Sequence, residues 1–147
     1  MKRLILICGL LASGFSFGAD WVYVTSSNLE SFYIDKSFYK YDAKNSTVDV
    51  WMKSTKNKLY GGGEYTSSKS LDRISCKNKQ SKTLAFINYN ESGETLKSTT
   101  KPEKEFSLIF PDSIGESIWY AACSTKGKGF KFNYYRPELV PFEKIKQ

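Results

Sequence analysis

The sequence predicts an α+β fold: a single antiparallel β-sheet of about six strands in meander order, with one short C-terminal helix packed on it and tied to it by a disulfide. Three observations lead there. Short stretches rich in β-branched and aromatic residues recur along the chain, each bounded by turn residues. One capping signature opens a single helical stripe near residue 113. Two cysteines remain once an N-terminal export segment is set aside.

The strands follow in order. Trp21-Val22-Tyr23-Val24-Thr25 is the first, and Phe32-Tyr33-Ile34-Asp35 follows a Ser-Ser-Asn turn. Thr47 to Lys53 alternates, with Val48, Val50 and Met52 on one face. Leu59 to Ser70 reads as a polar, glycine-rich interruption. Leu71 to Lys77 is a fourth strand, turning at Asn78-Lys79. Thr83 to Tyr89 is a fifth, apolar on both faces and expected to be central. Glu91-Ser92-Gly93-Glu94 then turns into Thr95-Leu96-Lys97-Ser98. Short turns between successive strands give an antiparallel meander.

Ser113-Ile114-Gly115-Glu116 has capping-box spacing, in which the hydroxyl and the carboxylate serve each other's orphan backbone donors. Ile114, Ile118 and Ala122 share the stripe that follows, with Trp119 and Cys123 one turn apart beside it. A helix of about ten residues does not persist alone. It is expected to lie on the sheet, with Cys123 joined to the strand that carries Cys76. Closing that loop of about 48 residues contributes on the order of 4 kcal/mol. The three tryptophans, Trp21, Trp51 and Trp119, are expected to share one core cluster.

Residues 1–18 read as a signal peptide. Lys2-Arg3 precede an apolar run of about nine residues, too short to span a bilayer, and Ser16-Phe17-Gly18 supplies small residues at a cleavage site. Cleavage is placed after Gly18, with the next bond as the alternative. Cys8 sits inside the apolar run behind Ile7, which is not a lipobox, so lipidation is not expected. Cleavage leaves Cys76 and Cys123, an even count in an oxidising compartment. The mature chain is then a domain over residues 19–123 followed by a basic aromatic extension over 124–147, with no transmembrane segment.

The 147 residues contain no histidine, which excludes His-based nucleophile systems and His-ligated metals. No catalytic grouping stands out, and neither an enzyme, a metal nor a cofactor is expected. Gly61-Gly62-Gly63 lacks the Gly-Lys-Ser/Thr ending of a phosphate loop and reads as a connection, with Tyr60 and Tyr65 as contact candidates. Asp112 and Glu116 are explained by a helix start rather than by acid–base work. Asn45 and Asn90 begin glycosylation sequons but read as turn residues.

The net charge of +7 is concentrated at the end of the chain. Residues 124–147 carry six basic side chains against two acidic ones. Lys126, Lys128, Phe130, Lys131, Phe132, Tyr134, Tyr135 and Arg136 interleave bases with aromatics and are the candidate protein-binding residues. The same stretch also reads as an edge strand, with Phe130, Phe132 and Tyr134 inward and Lys131 outward against edge pairing. Nucleic acid is not an expected partner of an exported chain, and a cationic lysozyme would be repelled.

In order along the chain, several pieces resemble the surface-adhesin protein E family. They are Asp20-Trp21-Val22, Phe32-Tyr33-Ile34-Asp35, Val48-Asp49-Val50-Trp51, Ser67-Ser68-Lys69, Asp72 to Asn78, Pro111 to Glu116, and Tyr120-Ala121-Ala122-Cys123. The resemblance implies a sheet with a helix packed on it, a Cys76–Cys123 disulfide and a non-enzymatic bacterial envelope protein. It further implies a protein partner, either a host matrix or serum protein or another envelope component, and a homodimer. The address would be the cell surface, the outer membrane or the periplasm. The basic tail and the missing lipobox depart from the family pattern.

Overall fold

The computed structural model describes residues 18–56 and 66–124. Seven strands and one helix follow in order: β1 (Trp21–Ser26), β2 (Glu30–Asp42), β3 (Thr47–Lys56), β4 (Ser67–Ser75), β5 (Gln80–Tyr89), β6 (Thr95–Thr99), β7 (Ser107–Leu108) and α1 (Ile114–Cys123). The sheet is antiparallel, and β1 to β6 lie side by side in chain order, the expected meander. The two-residue β7, which the sequence reading missed, pairs with β5 beyond the end of β6.

Alternation divides each strand between two faces. Val48 and Val50 of β3 point to the α1 side with Ile34 of β2 and Ile74 of β4. Val24 joins them from β1, at a one-residue slip in the pairing between Tyr23 and Thr25. Against these five lie Ile118, Ala121, Ala122 and Cys123. Each fully buried Val or Ile contributes about 1.5–3 kcal/mol. Met52, Ile114 and Trp119 close the rim.

The helix is held at both ends. Ser113 is its N-cap, and its Oγ accepts from Glu116 N–H at 3.2 Å. Glu116 reaches back one residue further than the capping box requires, accepting from Asp112 N–H at 2.6 Å and pairing with Lys79. Both partners sit at backbone turns: Asp112 has φ 56° and Lys79 φ 54°. At the other end the Cys76–Cys123 disulfide is formed, with Cα atoms 5.5 Å apart. The Tyr39 hydroxyl donates to the Ala122 carbonyl at 2.8 Å.

Four expectations about elements are corrected. The second strand does not stop at Asp35 but runs to Asp42. Between the pairs Ile34–Met52 and Tyr39–Val50, β2 spends four residues against the single Trp51 of β3. Asp35 holds that excursion. It is buried, and its Oδ1 accepts from Asp20 N–H and Ser37 N–H at 2.9 Å each and from Ser37 Oγ at 2.6 Å. Second, Ser67-Ser68-Lys69-Ser70 is strand rather than interruption. Its weak β-propensity is overridden by ladders to β3 on one side and β5 on the other, with Ser54 Oγ and Ser68 Oγ 3.0 Å apart. Third, β5 lies one strand in from the edge and is half-buried throughout, whereas β3 and β4 form the middle of the sheet. Fourth, the three tryptophans do not share one cluster. Trp119 packs from the helix onto the core, while Trp51 alternates with Val50 and points to the opposite face.

Candidate functional site

Among the described residues the one helix covers one face of the sheet. The other face carries the most unusual chemistry of the fold. Register places Tyr23 opposite Tyr33, Tyr33 opposite Lys53, Lys53 opposite Lys69, and Lys69 opposite Ile87. Cross-strand partners point the same way, so these five side chains form one row over β1 to β5. The neighbouring row is Trp51, Leu71 and Ala85.

The rings position the cations. Lys53 Nζ lies 4.6 Å from the centre of the Tyr33 ring and 5.1 Å from that of Trp21. Lys69 Nζ lies 5.5 Å from the Tyr89 ring centre. All are within cation–π range. The Tyr23 and Tyr33 rings meet edge to face at 5.8 Å. Burial, and then the Lys69 charge, push the Lys53 ammonium below the usual lysine range.

Beyond this row, Arg73 grips Asp49 with both nitrogens of its fork, Nε to Oδ1 at 2.7 Å and Nη2 to Oδ2 at 2.8 Å. The Asp49 hydrogen bond raises the Arg73 pKa. This pair presents no net charge to a partner, whereas Lys53 and Lys69 have no carboxylate of the described residues against them.

On the helix side, Asp72 is a half-buried carboxylate beside Val50. Ser70 Oγ donates to its Oδ2 at 2.8 Å, and its Oδ1 has no partner. Burial raises its pKa against the hydrogen bonds from Ser70 and Thr83, and Glu103 adds to the rise. A cleft of about 280 Å³ beside the disulfide is lined by Cys76, Trp119, Tyr120, Cys123 and Ser124. Among the described residues no group of three or more acids and cysteines is placed to hold a metal ion.

Residues 21–124 match the family described as surface-adhesin protein E. The chain belongs to the surface-adhesin protein E family. A solved structure of Haemophilus influenzae protein E is similar at TM-score 0.52 and 20% identity, over 75% of this chain and 88% of that one. A second crystal form of the same protein gives TM-score 0.49 and 19% identity over 65% and 82%. At this identity the first likeness is one of fold. None of the curated proteins searched matches the chain.

For this protein E relative, the sequence-selected residues divide cleanly. Cys76 and Cys123 are joined as expected. Asp112 and Glu116 serve the helix start. Asn45 and Asn90 sit in turns, Asn45 Nδ2 donating to Asp42 Oδ2 at 2.6 Å and Asn90 Oδ1 accepting from Glu94 N–H at 2.8 Å. Lys126, Lys128, Phe130, Lys131, Phe132, Tyr134, Tyr135 and Arg136 lie outside the described residues, as do Tyr60, Gly61 to Gly63, Tyr65 and residues 1–17 of the expected signal segment. The Lys53–Lys69 row was missed. Its signal was present in Thr47 to Lys53, where Trp51 and Lys53 occupy the phase opposite Val48 and Val50.

Proposed function

We propose that the protein is an exported, adhesin-like binding module of the bacterial envelope that acts without catalysis. It presents the sheet face opposite α1 to a protein partner, a host matrix or serum protein. The observation that carries this reading is the cationic and aromatic row through Tyr33, Lys53 and Lys69 on the half-exposed face of a disulfide-tied sheet. Family membership supports the adhesin-like character, and the N-terminal basic and apolar segment supports export.

The test uses the purified mature protein against immobilised matrix and serum proteins at physiological salt. Saturable binding to at least one is expected, and its absence for all would remove the reading. The extension 124–147 is proposed as a second docking element. Deleting it then weakens binding and flattens the salt dependence. Were it an edge strand instead, deletion would lower the melting temperature with little change in salt response.

A second reading is favoured by the lack of a lipobox at Cys8: a periplasmic factor that binds another envelope component. Protease shaving of whole cells separates the two, since it removes a surface adhesin and spares a periplasmic protein.

A further inference from the structure

Directly opposed like charges destabilise a sheet by roughly 0.2–1 kcal/mol. Lys53 and Lys69 are such a pair, at the middle of the sheet rather than at an edge where lysine guards against aggregation. Lys36–Asp20, Arg73–Asp49 and Lys79–Glu116 are ion pairs of the fold, but neither Lys53 nor Lys69 meets a carboxylate of the described residues. Each ammonium is instead held by rings, Lys53 by Trp21 and Tyr33 and Lys69 by Tyr89. The rings fix the two charges and strip part of their water, which strengthens any contact an anion makes there.

The geometry points to a protein segment that sets a carboxylate between Lys53 and Lys69 and lays an apolar side chain on the row of Trp51, Leu71 and Ala85 beside it. The Cβ atoms of directly opposed residues lie about 4.5–5.5 Å apart and the Lys69 charge is felt at Lys53, so a carboxylate placed between the two side chains is attracted by both. The flanks decide the class of ligand. On the same face the pair is bordered by the row of Trp51, Leu71 and Ala85 on one side, by Thr55 and Ser67 on the other, and by Ile87 at its end. The apolar row would leave the hydroxyls of an acidic polysaccharide laid along it without partners, while it accepts the apolar side chains of a protein. This inference rests on the adhesin-like reading and specifies the partner chemistry of its face.

The probe is a capped pentapeptide alternating leucine with glutamate, titrated into the isotope-labelled full mature chain and followed by amide and indole N–H shifts. Shifts are expected at Trp21, Trp51, Lys53 and Lys69. The same peptide with glutamine for glutamate is expected to bind about tenfold or more weakly. Lys53→Met with Lys69→Met, which keeps the aliphatic stems and is checked for a native spectrum, should erase the difference between the two peptides. Equal affinity of the two peptides for the wild type, shifts confined to other faces, or none at millimolar peptide would each overturn the inference. So would tighter binding of a heparin fragment to the same residues, which would assign the face to a glycan. If the double variant still holds a matrix or serum protein that the wild type holds, the inference fails while the adhesin-like reading stands. If the wild type holds none, it is the adhesin-like reading that fails.

Discussion

Lys53 and Lys69 stand directly opposite each other on β3 and β4, each ammonium lying over aromatic rings. Two effects compete at this position. Each cation–π contact contributes about 0.5–1 kcal/mol at a partly exposed site. The repulsion between the lysines costs roughly 0.2–1 kcal/mol. A double-mutant cycle with Lys53→Met and Lys69→Met should return a repulsive coupling of about 0.2–1 kcal/mol that shrinks with added salt. The Lys53 pKa is lowered in the fold, so its charge penalises the folded state below that value and the penalty disappears as pH rises towards 10.5. Lys69→Met should move the Lys53 titration, read from its side-chain carbon shifts, back up towards that value. An attractive coupling would contradict the arrangement.

Asp72 supplies a second test on the other side of β4. Its carboxyl is raised above the ordinary 3.8, chiefly by burial, and Oδ1 has no partner. The sign follows from the raised value. Below the unfolded pKa the group is neutral in both states and costs nothing. As pH rises through the window between the unfolded and the folded pKa, stability is lost, and the loss stays constant above it. Asp72→Asn is therefore expected to stabilise the protein at neutral pH by about 1 kcal/mol or more, because it removes an incompletely bonded buried charge. The gain should vanish near pH 3.8 and below. Urea melts at neutral and acid pH measure both, and a variant less stable than wild type at neutral pH would refute the argument.

What the sequence disclosed and what it hid follow from the range of the interactions. The Ser113 cap, the Ile118 and Ala122 stripe and the Val48 and Val50 alternation are patterns within a few residues, and each was legible. Asp35 looked like a strand end because Asp is a poor strand former. Its role as the pin of the β2 excursion depends on Asp20 N–H, fifteen residues away on the chain. Ser67 to Ser70 lacks strand character and acquires it from both neighbours. The candidate site was hidden for the same reason. That Lys53 meets Lys69, Tyr33 and Trp21 is a matter of register across four strands, which no window of the sequence contains. The basic aromatic tail drew attention because its pattern is contiguous.

Glu116 links the start of α1 to the turn after β4. Its carboxylate accepts from Asp112 N–H and pairs with Lys79, and these contacts hold its pKa below the usual 4.5, with the Lys79 hydrogen bond the larger cause. A lowered carboxyl contributes stability that is fully present above 4.5 and lost as pH falls through the folded value. Glu116→Gln should leave the protein less stable at neutral pH and flatten the acid limb of its stability profile. Thermal melts across the acid range provide the measurement. Parallel profiles for the two proteins would show that the carboxylate carries none of the acid dependence.

The C-terminal end of the helix is tied twice, and the two ties differ in strength and mechanism. The disulfide spans a sequence separation of 47. In the chain-entropy picture its loss costs about 4 kcal/mol, mostly by releasing the unfolded chain. The Tyr39 hydroxyl donating to the Ala122 carbonyl contributes about 0.5–1.5 kcal/mol in the folded state alone. Cys76→Ala with Cys123→Ala should therefore lower the denaturation midpoint far more than Tyr39→Phe does. It should also increase the denaturant slope, because the uncrosslinked chain exposes more surface when unfolded. Tyr39→Phe should leave that slope unchanged. Hydrogen exchange gives the local readout: in the double alanine protein the amides of Ile118 to Cys123 should lose protection before those of β3 and β4. Ten helical residues cannot hold their shape once they lift from the core. Simultaneous loss of protection in helix and sheet would mean that α1 is held by burial of Ile118, Ala121 and Ala122 alone, with the covalent tie acting only on the unfolded state.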